Sequence, residues 1–363
     1  MNGVIIVDKP AGWTSHDVVN RMRRILGQRS IGHLGTLDPL ATGVLPLVTG
    51  GLTRLAQFYT ASEKTYEGVI RFGFATNTYD ADGEPLSADV GTAAPGCPSG
   101  QRPDLSLDAL HKLAAEFQGI IEQVPPPFSA KKIHGVPAYK LARKQKEVVL
   151  KPVQVEIKEF IILSVEGERA RFRARVSSGT YMRSVAHEMG QRLGPGAHLE
   201  SLRRTAVAEF NITQAHTLEE IERQMKGDHE GKEKTQQKRE QVGEETPKVK
   251  IKVKIKPCHS DAAPEPCHSE AAPAAEEPAV PSQEGISALF IHPRQLLPQL
   301  PSVTADEATA ARIRTGRPVN LPELSRARQV KVFRGQSELI AIATRVAGTL
   351  FHPKIVFAPD PSS

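Results

Sequence analysis

The chain has 363 residues, 47 Lys and Arg against 41 Asp and Glu, and a formal charge of +6, a length that allows two domains and a surplus at roughly 150 residues each. Three cysteines (Cys97, Cys258, Cys267) without a C-x-x-C spacing exclude a disulfide framework, and no stretch approaches the roughly 20 apolar residues that cross a bilayer. A cytoplasmic protein with no membrane span is expected, and its basic excess, +8 outside residues 222–285 (36 basic against 28 acidic), suits a polyanion such as nucleic acid.

In chain order, Val4 to Val7 is a short apolar run that ends at Asp8-Lys9. Thr14 with Asp17 forms a capping box, Val18, Met22, Ile25 and Leu26 share a face, and Gly27 stops the helix, so residues 15–26 read as amphipathic helix. Tyr66–Phe72 and Val153–Leu163 read as strands, and Leu107, Leu110, Leu113 and Phe117 place a helix that ends near Gly119. Ala170, Phe172, Ala174 and Val176 alternate with Arg169, Arg171, Arg173 and Arg175, a strand with four guanidinium groups on one face. That face is either solvated or turned to RNA or a partner. Thr180 can cap a helix whose core positions are Met182, Val185, Met189 and Leu193.

No Phe, Trp or Tyr occurs between Phe210 and Phe290. Residues 224–285 read as a disordered low-complexity insertion, with the near-repeats Pro257–Pro264 and Pro266–Pro273. Lys248 to Lys256 alternates Lys with Val or Ile, as a solvated linker or a weak RNA tether. The Cys-His steps at 258/259 and 267/268 are poorly spaced for tetrahedral zinc. Beyond the insertion, Thr304 with Glu307 reads as a capping pair for a helix to Ile313. Val330–Phe333, Leu339–Val346 and Leu350–Phe357 read as strands of a small β-rich module. Strands and helices interleave without the repetition of a doubly wound sheet, so an α+β or mixed-sheet domain is expected.

Three segments could carry chemistry. Gly32 to Leu45 holds three glycines, a proline, two threonines and the lone carboxylate of Asp38, which Pro39 keeps out of the helical region. Composition alone leaves Asp38 as a turn residue or a catalytic one, and His33 as a hydrogen-bonded loop histidine or a general base. Arg183 falls in the first turn of its helix, where a cation opposes the dipole; either it has a carboxylate partner elsewhere or it is an ordinary surface arginine. Between Gly119 and Leu150 the chain carries +4 (six basic, two acidic residues) with Phe128 and Tyr139 interleaved, which suits a phosphate backbone or a plain solvated loop.

The motifs Val7-Asp-Lys-Pro-Ala-Gly-Trp-Thr-Ser15, Gly32-His-Leu-Gly-Thr-Leu-Asp-Pro-Leu-Ala-Thr-Gly43, Lys64-Thr-Tyr66, Gly179-Thr-Tyr-Met-Arg183 and Leu202-Arg-Arg-Thr205 resemble, in order, those of the bacterial tRNA pseudouridine-55 synthases of the TruB type. The likeness covers about residues 3–215 and is weaker over 286–358. It implies an α+β pseudouridine synthase domain over 1–220, with a central mixed, largely antiparallel sheet flanked by helices and a thumb-like basic loop at about 123–147. It also implies a small β-rich PUA-like RNA-binding domain at 286–358. The insertion lies outside the family pattern.

The implied reaction detaches a T-loop uracil of tRNA from its ribose at N1 and rejoins it through C5 after base flipping. No metal or organic cofactor takes part. By position, Asp38 resembles the catalytic carboxylate, Arg183 the arginine that pairs with it and aims it, and Tyr66 the tyrosine that stacks on the extruded base and can accept the C5 proton. Tyr181 and Leu202 resemble pocket-lining residues. His33 resembles the residue that fills the space left in the T loop, which offsets part of the unstacking cost. Lys64, and Lys131 and Lys132 in the thumb, are expected phosphate or scaffold contacts, and Lys9 and Pro10 structural. The expected partner is tRNA, through its T arm and acceptor stem, bound by a monomer. The competing expectation is a non-catalytic tRNA-binding or tRNA-folding protein on the same scaffold.

Overall fold

The computed structural model describes residues 2–86, 105–129, 150–226, 288–323 and 326–358, together with the backbone of 132–133 and 136–137. Lys131, the Lys132 side chain, most of the thumb-like segment, the Cys-His repeats and nearly all of the insertion lie outside them. The described residues of 2–222 and 289–358 belong to one compact unit.

Expected alternations become strands. β1 (Gly3–Lys9), β2 (Ile31–His33), β3 (Thr42–Thr49), β4 (Lys64–Phe72), β5 (Gly119–Gln123), β8 (Val153–Glu166), β9 (Arg169–Val176), β10 (Ala197–Val207), β11 (Phe210–Asn211) and β12 (Phe290–Ile291) form a ten-stranded sheet. A separate two-strand ribbon, β6 (Lys132–Ile133) with β7 (Val136–Pro137), lies between β5 and β8 in the chain. The main path is β12-β1-β3-β10-β4-β9-β8-β5, antiparallel except between β3 and β10. β1 reads as continuous apolar sequence because Val4 to Val7 are wholly buried.

Helix α1 (Ser15–Ile25) starts at the expected capping box, with Asp17 N donating to Thr14 Oγ1 at 3.1 Å and Thr14 N to Asp17 Oδ2 at 2.9 Å. The short helix α2 (Ala56–Tyr59) follows β3. α3 (Leu107–Glu116) and α4 (Met182–Leu193) cover one face of the sheet. Under α3, Phe117, Phe160 and Phe172 stack edge to face, with centroids 6.4 and 5.6 Å apart. A side chain at Gly190 of α4 would stand 1.9 Å from Ala197 N, so glycine alone lets the helix lie against the start of β10. The expected cap at Thr180 is not there. Tyr181 is the N-cap, without a side-chain bond, and Thr180 Oγ1 faces Ser177 Oγ at 3.4 Å.

On β9 the guanidinium face is largely ion-paired. Arg169 makes a fork on Glu200 (2.8–3.0 Å), Arg173 reaches Glu159 at 2.9 Å, and Arg175 lies 4.0 Å from Glu63.

The C-terminal module is a five-stranded sheet of β13 (Ser302–Ala305), β15 (Gln329–Arg334), β16 (Glu338–Ala347), β17 (Leu350–Val356) and β14 (Val319–Asn320), in that spatial order, with helix α5 (Glu307–Arg314). Its cap is Asp306, whose Oδ1 accepts from Thr309 N at 2.7 Å, and not Thr304, which the sheet takes into β13. Ala310, Ile313, Val330, Val332 and Phe351 fill a core of its own.

A second core is shared between the two sheets: Leu52, Leu55 and Tyr59 meet Leu296, Leu297, Phe333, Ile342 and Phe357. β12 adds to the edge of β1, and Lys331 Nζ, buried, donates to Arg294 O (2.8 Å) and Leu296 O (2.7 Å). Glu209 Oε1 accepts from Tyr59 Oη (2.5 Å) and from Leu297 N (2.8 Å), whose φ of +51° is uncommon for leucine. Burial and this carboxylate raise the Tyr59 phenol far above its usual range. Because a buried donor left without its acceptor costs about 1–3 kcal/mol, Glu209→Ala is expected to lower the unfolding free energy by about that amount in urea titration. A loss below about 0.5 kcal/mol would contradict this account of the joint.

Candidate functional site

Asp38 sits on the loop between β2 and β3, which has no ladder of its own and takes its backbone partners from surrounding elements. Ser15 Oγ of α1 donates to Leu37 O (3.1 Å) and accepts from Leu37 N (2.8 Å). Lys9 of β1, with no exposed surface, donates Nζ to Pro10 O (2.8 Å), Trp13 O (2.6 Å) and Pro39 O (3.1 Å). Gly12 N also reaches Pro39 O at 2.9 Å. Arg204 of β10 holds Gly35 O and Thr36 O at 3.1 and 3.2 Å. At about 1 kcal/mol net apiece, these bonds fix the loop while the Asp38 side chain stays 37% exposed.

The carboxylate meets Arg183, where α4 begins. Arg183 Nε lies 3.0 Å from Asp38 Oδ2, a charge contact without hydrogen-bond alignment, and the arginine side chain is 5% exposed. Its other nitrogens are occupied: Nη1 faces Asp80 Oδ2 at 3.5 Å and donates to Thr78 O at 3.3 Å, while Nη2 donates to Phe128 O at 3.1 Å. A cation at a helix N-terminus is thus neutralised by carboxylates on two separate loops.

Asp80 went unrecognised in sequence reasoning. It is buried, and burial raises its carboxyl above the usual value while the Thr78 hydroxyl and Arg183 pull it back. Its loop is shaped by Tyr79, which adopts φ +66° and stacks on His187 of α4 at 3.7 Å and 11°. The available signal was the turn-rich run Thr76-Asn-Thr-Tyr-Asp-Ala-Asp-Gly83 directly after β4.

The other expected residues converge on the same place. Tyr66 of β4 is buried between Arg204 of β10 and Ala174 of β9 in register. Burial raises its phenol, and the Arg204 charge and hydrogen bond partly oppose that. Leu202, buried, is two residues from Arg204 on β10. Tyr181 is fixed by Gln123, whose Oε1 accepts from Tyr181 N (2.8 Å) and whose Nε2 donates to Tyr181 O (3.1 Å), and burial raises its phenol.

The imidazole of His33, on β2, is pushed below its usual range by burial and then by Arg204, and its Nδ1 accepts from Gly35 N at 3.4 Å. Lys64, at the start of β4, donates Nζ to Ser62 O at 2.6 Å and is pushed down to about 8 by burial and Arg204. Lys9 is likewise pushed down to about 8 by burial, although Asp38 draws it back up. Among the described residues no three metal-ligating side chains come together. Two carboxylates, Asp38 and Asp80, thus share the Arg183 guanidinium, with Lys9, Lys64 and Arg204 as further cations nearby. A part-exposed carboxylate held by a buried guanidinium can act as a base or a nucleophile toward a group brought beside it.

The fold and site define an α+β pseudouridine synthase scaffold with a β-rich C-terminal module. Residues 23–182 match the TruB family pseudouridylate synthase N-terminal domain, and residues 183–247 the tRNA pseudouridylate synthase B C-terminal domain. The tRNA pseudouridine synthase B of Solibacter usitatus is 42% identical over 361 residues, covering 98% of this chain and all of that protein. That of Thermobifida fusca is 46% identical over 61% of this chain and 74% of its own length. The chain belongs to the TruB family. Among solved structures, a chain of an H/ACA RNP bound to a substrate RNA containing 2'-deoxyuridine shares the fold, with a TM-score of 0.60 at 21% identity over 98% of this chain and 85% of that one. A Cbf5-Nop10-Gar1 complex matches at the same TM-score, 22% identity and the same coverage.

The two depressed lysines have a consequence for stability. In the unfolded chain Lys9 and Lys64 keep their protons to about 10.5, and in the folded one to about 8. The unfolded state therefore binds more protons between about pH 8 and pH 10, so stability rises with pH across that window. Urea titrations from pH 7.5 to 9.5 are expected to show that rise, and Lys64→Met to flatten part of it. An identical slope in the variant would contradict the assignment.

Proposed function

We propose that this chain is a tRNA pseudouridine synthase that isomerises the uridine at position 55 of the T loop, with Asp38 as its catalytic carboxylate and no cofactor. What supports the reading is the ion pair between Arg183 and Asp38: a carboxylate aimed by a buried guanidinium yet open enough to approach a ribose. The full-length likeness to tRNA pseudouridine synthases B adds the substrate class.

In this reading the target nucleotide leaves its stack and enters the opening beside Tyr66. Asp38 stands near C1' and C2', the N1 glycosidic bond breaks, and the uracil leaves as an anion in a site rich in fixed positive charge from Arg204, Lys9 and Lys64. The base turns, C5 bonds to C1', the C5 proton is lost and N1 is protonated, so atoms and charge are conserved. Asp38 acts either by attack or by taking and returning the C2' proton. Tyr66 stacks on the base. To receive the C5 proton it must act as phenolate, which its burial disfavours and the charge of Arg204 favours.

Tyr181 and Leu202 line the pocket, and Arg183 and Asp80 hold Asp38 in place. His33 occupies the gap left in the T loop, while Lys64, Lys131 and Lys132 meet phosphates. The division into a synthase domain (1–220), an insertion (224–285) and a PUA-like module (286–358) belongs to the same proposal. So do the closing of a thumb at 123–147 over the T arm, contact of the C-terminal module with the acceptor stem, action as a monomer and residence in the cytoplasm.

Mapping pseudouridine on an unmodified tRNA transcript tests the reaction and its position. Product at the T-loop uridine is expected, and binding without product would favour a tRNA-folding role. Asp38→Asn is expected to abolish turnover while leaving tRNA affinity within about tenfold, because phosphate contacts dominate binding. Near-normal turnover would refute Asp38. Tyr66→Phe should keep stacking and lose the proton acceptor; a wild-type rate would reduce Tyr66 to a platform.

A further inference from the structure

Arg204 has no exposed surface, and among the described residues no carboxylate pairs with it, whereas its neighbour Arg203 holds Asp8 at 2.6 Å. Its guanidinium donates to three carbonyl oxygens, Nε to Val44 (2.8 Å), Nη1 to Thr36 (3.2 Å) and Nη2 to Gly35 (3.1 Å), and it also meets the Tyr66 phenol. Gly35 and Thr36 lie before Asp38 in the loop, and Val44 lies in β3 just after it, so one planar group ties the two flanks of the turn. At Gly43 of β3 (φ +97°) a side chain would stand 2.2 Å from the backbone oxygen of Arg204, so glycine there lets the two strands pair closely beside the turn. Across the sheet Arg204 is in register with Tyr66. Burying a cation without a counter-ion is costly, and an apolar residue would fill the space more cheaply if filling were all that was needed. A lysine would keep the charge and lose the three-way fork.

We infer that Arg204 is a positioning residue for the isomerisation: by binding both flanks of the 35–44 turn it sets where the Asp38 carboxylate stands between Arg183 and the ring of Tyr66. The inference rests on the tRNA reading above. Misplacing a reacting group by about 1 Å costs on the order of 100-fold in rate.

The test compares full-length wild type, Asp38→Asn, Arg204→Lys and Arg204→Gln on unmodified tRNA transcript, with tRNA affinity and thermal unfolding recorded on the same preparations. At a temperature where the variants are folded, Arg204→Lys is expected to lose about 100-fold in kcat with KM and tRNA affinity within about threefold, and Arg204→Gln at least as much. If Arg204→Lys turns over within about threefold of wild type at equal folded fraction, or if its loss is confined to KM, the inference is overturned. Failure of both variants to fold also overturns it, by assigning Arg204 to the fold alone. An inactive wild type overturns the tRNA reading and this inference together; an active wild type with an indifferent Arg204→Lys overturns the inference only.

Discussion

The contact between Arg183 and Asp38 sets a constraint on everything around it. A carboxylate that keeps an exposed face is not made rigid by burial, so its rigidity must come from its backbone and its partner. The chain meets both demands by burying the cation and leaving the anion half open. Arg183 is nearly inaccessible, with carbonyl oxygens and the Asp80 carboxylate around its other nitrogens. An ion pair with one partner buried is weak support for stability, since desolvation of that partner offsets much of the attraction. Its position in the fold makes sense as orientation.

Around that pair the site is built from side chains that serve backbone. Ser15, Lys9 and Arg204 come from a helix and two strands, and each satisfies peptide groups of one loop. The loop is therefore as well determined as the sheet, although it has no regular structure. The charge of Arg204 also acts on its neighbours, adding to the burial that depresses Lys64 and Lys9 and pulling against the burial that raises Tyr66. Anchoring of the loop and local positive charge come from the same atoms.

Much of this was legible in the chain. The capping box at Thr14 and Asp17 predicts α1 because both halves are local, and the alternation on β9 predicts a half-buried strand because side chains project with period two. Arg183 at a helix start is locally unfavourable, which leaves a carboxylate partner and an ordinary surface arginine open, and the fold supplies the partners in Asp38 and Asp80. The misplaced caps at Thr180 and Thr304 have one cause: a hydroxyl near a helix start suits capping, but neighbouring strands and turns decided which residue stood at the boundary. Asp80 and Arg204 escaped because each stands beside a residue of the same kind or charge, in an Asp-rich turn and an Arg-Arg step. The signal for Arg204 was its spacing of two from Leu202: a strand that buries one must bury the other.

The arginine ladder on β9 bears on how a polyanion would move over this surface. Glu200, Glu159 and Glu63 already answer three of its four guanidinium groups, so the broad back of the sheet offers passing phosphates a mosaic of opposite signs and little long-range pull. A row of four arginines that would be a strip of uncompensated charge is, once folded, close to charge-balanced along most of its length.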